Sequence, residues 1–198
     1  MNRPRLILTS SFSAVARELS DVGALPKKSQ RVAFIPTAGD VYKDTPWIEA
    51  DRKALVDLGY SLFDVDLKKQ DPSTLKQELE SADIIFVAGG NTTYLFEYAH
   101  TSGFISMIPD LLNQNRIYIG SSAGSLLAGP SVEPFLSEDI PELPNDFYLH
   151  NSHGLNIVDY IVLPHYPDYA VQNDEVEKEF SHRFTFVKLK DTEYRIEK

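Results

Sequence analysis

The stretch "IYIGSSAGSLLAG" at residues 117–129 joins a short apolar run to a segment of small and helix-forming residues. Its centre, "GSSAG", fits the pattern G-x-S-x-G, in which Ser122 lies between Gly120 and Gly124. In that pattern the serine sits on a sharp strand-to-helix turn, and the glycines let neighbouring backbone approach closely. The stretch therefore predicts a strand, a turn and a helix, with the Ser122 hydroxyl exposed as a nucleophile. A plain tight turn of small residues is the alternative interpretation.

Further apolar runs on both sides of this stretch predict the rest of a sheet. They are continuous rather than alternating, which is typical of strands covered on both faces in a parallel sheet. A later run, "FTFVKL" at 184–189, is also strand-like. The four continuous runs are "LIL" at 6–8, "VAFI" at 32–35, "IIFVA" at 84–88 and "IVL" at 161–163.

Helical patterns lie between these runs, and two of them begin with a proline in the first turn. Thr45-Pro46 begins one helix and Asp71-Pro72 begins another, since proline is favoured at the first helical position. Strands alternating with helices predict an α/β fold, a three-layer sandwich with a mostly parallel central sheet that is flavodoxin-like or glutamine amidotransferase-like. The apolar residues predicted to face the core are Trp47, Ala50, Ala54 and Leu58 in the first helix and Leu75, Leu79 and Ala82 in the second.

Composition narrows the function classes. The 198 residues suit a single domain over 1–198, and a net charge of −10 disfavours nucleic acid as a partner. The chain has no cysteine, which excludes disulfides, thiolate metal sites and a cysteine nucleophile and agrees with a cytoplasmic location. The apolar run near the N-terminus is too short for a signal peptide or a membrane span. We expect no metal, no organic cofactor and no membrane partner.

Polar, turn-forming segments follow three of the predicted strands. "GGNTT" follows the run at 84–88, "GSSAGS" follows 117–119, and "PHYPDY" follows 161–163. Because ligands of such sheets bind beyond the carboxyl ends of the strands, we expect these three segments to meet at one end of one sheet.

A nucleophilic serine needs a base, and His165 is the histidine that directly follows an apolar strand. His150 and His153 form a short pair in a polar loop, but no third ligand is evident nearby, so a metal site there is disfavoured. An acid must then orient the imidazole. Asp191 follows the strand-like run at 184–189, with Glu193 close behind, and the choice between these two stays open. Asp168, three residues after His165, is a further candidate but is too close in sequence to reach back easily.

The segment "AGGNT" at 88–92 is predicted to supply an oxyanion hole. Gly90 and Asn91 can bring backbone N–H groups to the substrate, and Ala123 supplies another N–H. The alternative is an ordinary strand-to-helix turn with Thr92 as the helix cap, and both interpretations can hold together.

The segments "FVAGGNTTYLF", "IYIGSSAGSLLAG" and "DYIVLPHY", in this order, resemble the peptidase E and cyanophycinase family of serine peptidases. The resemblance extends from about residue 5 to 191 and implies a fold similar to class I glutamine amidotransferases, with serine in place of cysteine. It implies that Ser122 is the nucleophile, His165 the base, and Gly90 and Ala123 the oxyanion hole. Asp191 stands where the family usually has glutamate.

One departure concerns the substrate. Aspartyl dipeptidases of this family use an arginine some distance past the histidine, but here that stretch reads "YAVQNDEVEKEFSHRF", with Lys178 as the first base and Arg183 later. Such an acidic lining would repel an aspartate side chain. We therefore expect a peptidase acting on a short peptide, with the acidic loop at 131–147 narrowing the mouth. A weakly catalytic small-ligand binding module and an esterase on the same residues are the alternatives.

Overall fold

A computed structural model describes residues 6–26, 30–69, 71–136, 143 and 147–197. The strands are β1 (Leu6–Thr9), β2 (Arg31–Ile35), β3 (Ser61–Asp64), β4 (Ile84–Val87), β5 (Ile117–Ser121), β6 (Tyr160–Leu163), β7 (Thr185–Lys188) and β8 (Tyr194–Glu197). The α-helices are α1 (Phe12–Asp21), α2 (Pro46–Asp57), α3 (Pro72–Glu80), α4 (Thr92–Thr101), α5 (Phe104–Asn113), α6 (Ala123–Leu127) and α7 (Ala170–Phe180). Short 3-10 turns lie at Thr37–Gly39 and Glu133–Phe135. Within the described ranges, no helix is long and apolar enough to cross a membrane.

The central sheet has six strands in the order β3-β2-β4-β5-β1-β8. Neighbouring strands run parallel throughout, except that β8 runs antiparallel to β1. Helices cover both faces, so the predicted α/β fold with a mostly parallel central sheet is confirmed. β5 lies between β4 and β1, which places the turn after β5 near the middle of the sheet.

Alternate residues of β1, β2, β4 and β5 supply two separate cores. In β1, Ile7 packs with α1 and α2, whereas Leu6 and Leu8 face the core under α3, α4, α5 and α6. Both sets are almost fully buried, with Ile7 and Leu8 at 0% exposure. This two-sided burial is the physical reason why the strands appear in the sequence as continuous apolar runs.

The strand β6 does not belong to the central sheet, contrary to the expectation of one sheet for all three polar segments. It pairs in parallel with β7 in a separate two-stranded ladder. A strand has only two edges, and those of β1 are occupied by β5 and β8. The apolar runs in the sequence do not reveal that β8, rather than β6, pairs with the second edge of β1.

The predicted apolar face of α2 is confirmed for Ala54 and Leu58, which pack partly buried against the core, but not for Trp47 and Ala50, whereas that of α3 is confirmed. Leu75 and Leu79 of α3 are buried as expected, and Ala82 is buried just beyond the helix. In α2 the buried residues are Ile48, Asp51 and Leu55, while Trp47 is 38% exposed. Asp51 turns inward because its carboxylate accepts a hydrogen bond from the Ser13 N–H, at 2.8 Å, near the start of α1.

Candidate active site

Ser122 occupies a strained turn between β5 and α6. Its backbone has φ 49° and ψ −110°, outside the regions that non-glycine residues normally adopt. The flanking glycines are sterically required. A Cβ at Gly120 would lie 2.6 Å from the Gly124 carbonyl carbon, and one at Gly124 would overlap the Val87 carbonyl oxygen. The G-x-S-x-G spacing therefore matches a close approach of this turn to β4.

The three serines of this stretch have different partners. The Ser125 hydroxyl donates to the carbonyls of Thr9 at 2.7 Å and Gly120 at 2.9 Å, so it joins the turn to β1 and β5. The Ser121 hydroxyl accepts the Phe12 N–H at 3.2 Å, which ties the end of β5 to α1. The Ser122 hydroxyl instead lies 2.9 Å from the Nε2 atom of His165. Among the three, Ser122 is the one whose hydroxyl faces a base.

His165 follows β6 by two residues and also has a strained backbone, with φ 58°. Its Nδ1 atom lies 2.7 Å from the Asp191 Oδ1 atom, opposite the contact with Ser122. The structure thus joins Ser122, His165 and Asp191 in one hydrogen-bonded line. Glu193 points elsewhere, since its carboxylate accepts the Lys190 N–H at 3.0 Å.

Ser10 forms hydrogen bonds with two members of the line from Ser122 through His165 to Asp191, and the sequence did not predict this role. Its hydroxyl donates to Asp191 Oδ1 at 2.7 Å and accepts the His165 N–H at 2.7 Å. One fully buried side chain therefore holds both the carboxylate and the strained backbone of the histidine. The signal was present in "LILTSS", because Ser10 follows β1 at the edge of the sheet where Ser122 also lies.

The loop between β4 and α4 lies directly beside Ser122. A Cβ at Gly89 would be 3.0 Å from the Ser122 Cβ, and one at Gly90, where φ is 145°, would overlap the Ala38 carbonyl. Within the described residues, neither the Gly90 N–H nor the Ala123 N–H donates a hydrogen bond. Both groups are therefore available to a ligand at this position.

Asn91 was predicted to act together with the N–H groups of Gly90 and Ala123, but unlike them it is already engaged in hydrogen bonds. Its N–H donates to the Ala38 carbonyl at 2.7 Å, and its side-chain oxygen caps α4 by accepting the Tyr94 N–H at 2.8 Å. Asn91 is 4% exposed and does not line the cavity described below. The cap of α4 is Asn91, one residue before the predicted Thr92.

A cavity of about 520 Å³ opens beside Ser122 and His165. Asp51 reaches it although only 2% of that residue is exposed. Burial raises the pKa of the Asp51 carboxyl to about 6, and hydrogen bonds from Ser121 and Ser13 partly oppose the rise. The lining residues are Ser10, Ser11, Tyr42, Trp47, Asp51, Gly89, Gly90, Ser121, Ser122, His165, Asp168, Tyr169 and Asp191.

The pair His150 and His153 lies away from this cavity. His150 Nδ1 is 2.7 Å from the Glu97 carboxylate, and the His153 carbonyl is 2.6 Å from His100 Nε2. Across the described part of the chain, no group of three histidine, aspartate or glutamate residues is arranged to hold a metal ion.

The acidic loop at 131–147 falls mostly outside the described residues, at 137–142 and 144–146. Its described beginning is tied to the chain beyond α7. Arg183 contacts the Glu133 carboxylate with both terminal nitrogens, one of them at 2.7 Å. Arg183 does not line the cavity, so this late base is not placed at the site.

Comparison with known proteins gives a consistent result. The family model described as peptidase family S51 matches residues 6–195. An uncharacterised peptidase from Listeria innocua is 33% identical over 161 residues, which cover 81% of this chain and 76% of the relative. A protein named peptidase E from Haemophilus influenzae is 28% identical over 162 residues, covering 81% of this chain and 70% of its own length.

The fold also matches a solved structure over nearly the whole chain. A 1.5 Å crystal structure of a peptidase E candidate from Listeria monocytogenes EGD-e superimposes with a TM-score of 0.83 at 28% identity. The match covers 96% of this chain and 92% of that one.

Proposed function

This chain belongs to peptidase family S51, and on that premise we propose that it is a serine peptidase that cleaves short peptides. The observation that carries the proposal is the hydrogen-bonded line from Ser122 through His165 to Asp191, with distances of 2.9 and 2.7 Å. A nucleophile within reach of a base that is itself held by an acid is the arrangement required for acyl transfer. The strained backbone of Ser122 supports the same interpretation, because such strain concentrates at functional sites.

Each step of the reaction has a residue to perform it. The Ser122 hydroxyl attacks the peptide carbonyl carbon while His165 Nε2 takes its proton, and Asp191 stabilises the resulting imidazolium. The Gly90 and Ala123 N–H groups donate to the oxyanion of the tetrahedral intermediate. The carbon–nitrogen bond then breaks as His165 returns the proton to the leaving amine. Water, deprotonated by the same imidazole, attacks the acyl carbon, and the ester bond to Ser122 then breaks as His165 returns that proton to Ser122 Oγ and the acid product leaves.

The size of the cavity favours a short substrate. Its volume of about 520 Å³ lies within the usual range of about 300–1,000 Å³ for small-molecule sites. A dipeptide or tripeptide fits within such a space. The nucleophile therefore meets only those peptide bonds whose flanking residues enter the cavity.

The first experiment is labelling with a fluorophosphonate probe, followed by peptide mass spectrometry. We expect the probe to modify Ser122 in the wild type and in a Ser106→Ala control, in which an exposed serine of α5 is removed. We expect no labelling in a Ser122→Ala variant of the same melting temperature. Absence of label on folded wild-type protein would contradict the proposal and favour a ligand-binding role.

The second experiment distinguishes the scissile bond. A dipeptide library and p-nitrophenyl esters are incubated with wild type and with the Ser122→Ala variant. Hydrolysis of dipeptides that is lost in the variant supports the peptidase. Ester hydrolysis without any dipeptide cleavage would replace it with an esterase that uses the same residues.

A further inference from the structure

The cavity beside Ser122 has an unusual combination of side chains for its size. Three aromatic rings and three carboxyl groups line it, and among the lining residues that the structure describes there is no lysine or arginine. Aromatic faces and carboxylates both attract organic cations, the rings through their quadrupole and the carboxylates through their charge. The lining therefore favours a positively charged ligand group. The residues concerned are Tyr42, Trp47, Tyr169, Asp51, Asp168 and Asp191.

The aromatic rings are held in place and accessible. Trp47 is 38% exposed, and its Nε1–H donates to the Gly89 carbonyl at 3.1 Å, next to Gly90. Tyr42 packs edge-on against Trp47 at 5.3 Å between ring centroids. Tyr169 is 55% exposed and lies 5.9 Å from the His165 ring. A ligand in the cavity can thus contact rings that the protein itself leaves partly uncovered.

Three of the bases that follow His165 are engaged with acids elsewhere. Arg183 contacts Glu133, Lys188 contacts Asp174 and Glu177 at 2.8 and 2.6 Å, and Lys190 lies 3.6 Å from Glu193. None of the three bases lines the cavity. The exposed carboxyl of Asp168 at the cavity is accordingly not neutralised by any of these cations.

We propose that this cavity selects peptides with a cationic group next to the scissile bond and rejects those with a carboxylate there. This inference rests on the proposed peptidase function and names the substrate class of the same site. An ammonium next to the scissile carbonyl can come from the free α-amino group of an N-terminal residue or from a lysine side chain. Both sources present the same chemistry to Asp168 and the rings.

The test uses peptides matched in shape but not in charge. Lys-Ala is compared with norleucine-Ala, Glu-Ala with Gln-Ala, and each with its N-acetylated form. We expect kcat/KM to be about tenfold higher for the cationic member and about tenfold lower for the anionic one, as a charge pair at a partly exposed site provides. N-acetylation distinguishes the two sources of the cation, because it removes the charge of the α-amino group and leaves the lysine side chain charged. A lysine preference that survives it assigns the side chain, and a loss of cleavage on acetylation assigns the α-ammonium.

A matched pair of variants tests the local carboxylate. Asp168→Asn removes a negative charge at the cavity, and Glu175→Gln removes one from an exposed position on α7 outside it. We expect the preference for the cationic peptide to fall several-fold in Asp168→Asn only. Cleavage of Glu-Ala as fast as Gln-Ala, or an equal effect of both variants, would overturn the proposal.

Binding to Ser122→Ala separates failure of this inference from failure of the catalytic proposal. Lysinamide, norleucinamide and glutamic acid amide are titrated into the variant and followed by NMR of its Trp47 indole N–H. If no peptide is cleaved by wild type but lysinamide still binds more tightly than norleucinamide, the cation site stands and the peptidase does not. Because all three amides carry an α-ammonium, equal binding of the three contradicts both a site for the lysine side chain and the rejection of a carboxylate, whatever the activity.

Discussion

Two histidine–carboxylate pairs in the described part of the protein have the same nitrogen-to-oxygen distance and different surroundings. His165 and Asp191 are joined at 2.7 Å, and so are His150 and Glu97. The other ring nitrogen of His165 faces the Ser122 hydroxyl at 2.9 Å, beside a cavity. The His150 side chain is 66% exposed, and its backbone N–H also donates to Glu97 at 2.8 Å. A short pair alone therefore does not identify a catalytic histidine, since the second pair is arranged as a loop anchor.

Replacing each histidine in turn gives the largest expected contrast. His165→Ala should lower kcat by a factor on the order of 10⁵, because Ser122 loses its proton acceptor. His150→Ala should change kcat by less than about twofold, as surface substitutions usually do. Steady-state hydrolysis of the best dipeptide measures both. A large loss of kcat in His150→Ala at an unchanged melting temperature would contradict the different roles assigned to the two pairs.

Replacing the two carboxylates should separate activity from stability. Asp191→Asn should reduce kcat by roughly 10⁴, because an amide favours the wrong imidazole tautomer. Glu97→Gln should leave kcat nearly unchanged but cost about 1–2 kcal/mol of unfolding free energy, since this buried side chain loses one of its two acceptor interactions. Urea unfolding and kinetics of both variants check the prediction. A loss of stability in Asp191→Asn together with a loss of activity in Glu97→Gln would contradict the roles assigned to the two pairs.

Ser10 contacts both members of the His165–Asp191 pair. Ser10→Ala removes a donor to Asp191 and the acceptor for the His165 N–H, so we expect kcat to fall by about 10- to 100-fold. Binding should change little, so KM should stay within about twofold of its wild-type value. Tyr148→Ala serves as the control, because this exposed ring packs edge-on against His150. An unchanged kcat in Ser10→Ala would show that His165 is positioned without it.

Asp51 is a buried carboxyl at the cavity that is expected to affect stability through pH. Burial raises its folded pKa to about 6, above its unfolded value, so its contribution to stability is greatest below about pH 4 and is lost as pH rises through 6. Asp51→Asn keeps an acceptor for Ser13 and cannot ionise. The variant should therefore gain about 2 kcal/mol relative to wild type between pH 4.5 and 7.5. Urea unfolding at both pH values, with Glu175→Gln as control, measures this difference. A constant difference would contradict the raised pKa.

Much of the architecture was predictable because burial on both faces leaves a direct trace in sequence. The continuous apolar runs correspond to β1, β2, β4, β5 and β6. The helices α2 and α3 begin at Pro46 and Pro72, as predicted. The sequence did not predict which face of α2 is the most deeply buried. Its inward side contains Asp51, and a carboxylate is assigned to solvent unless its partner, here the Ser13 N–H on another helix, is already known.

The sequence by itself determined the α/β fold and the turn at Ser122, because local sterics and two-sided burial act through neighbouring residues. It also selected His165, which follows a strand, and limited the acid to a few candidates. Only the tertiary structure showed that Asp191, and not Glu193, lies beside His165, that Ser10 contacts both Asp191 and His165, and that Asn91 caps α4. Those outcomes depend on contacts between residues as many as 181 positions apart. The pairing of such distant groups is set by how strands and helices pack, which no local pattern encodes.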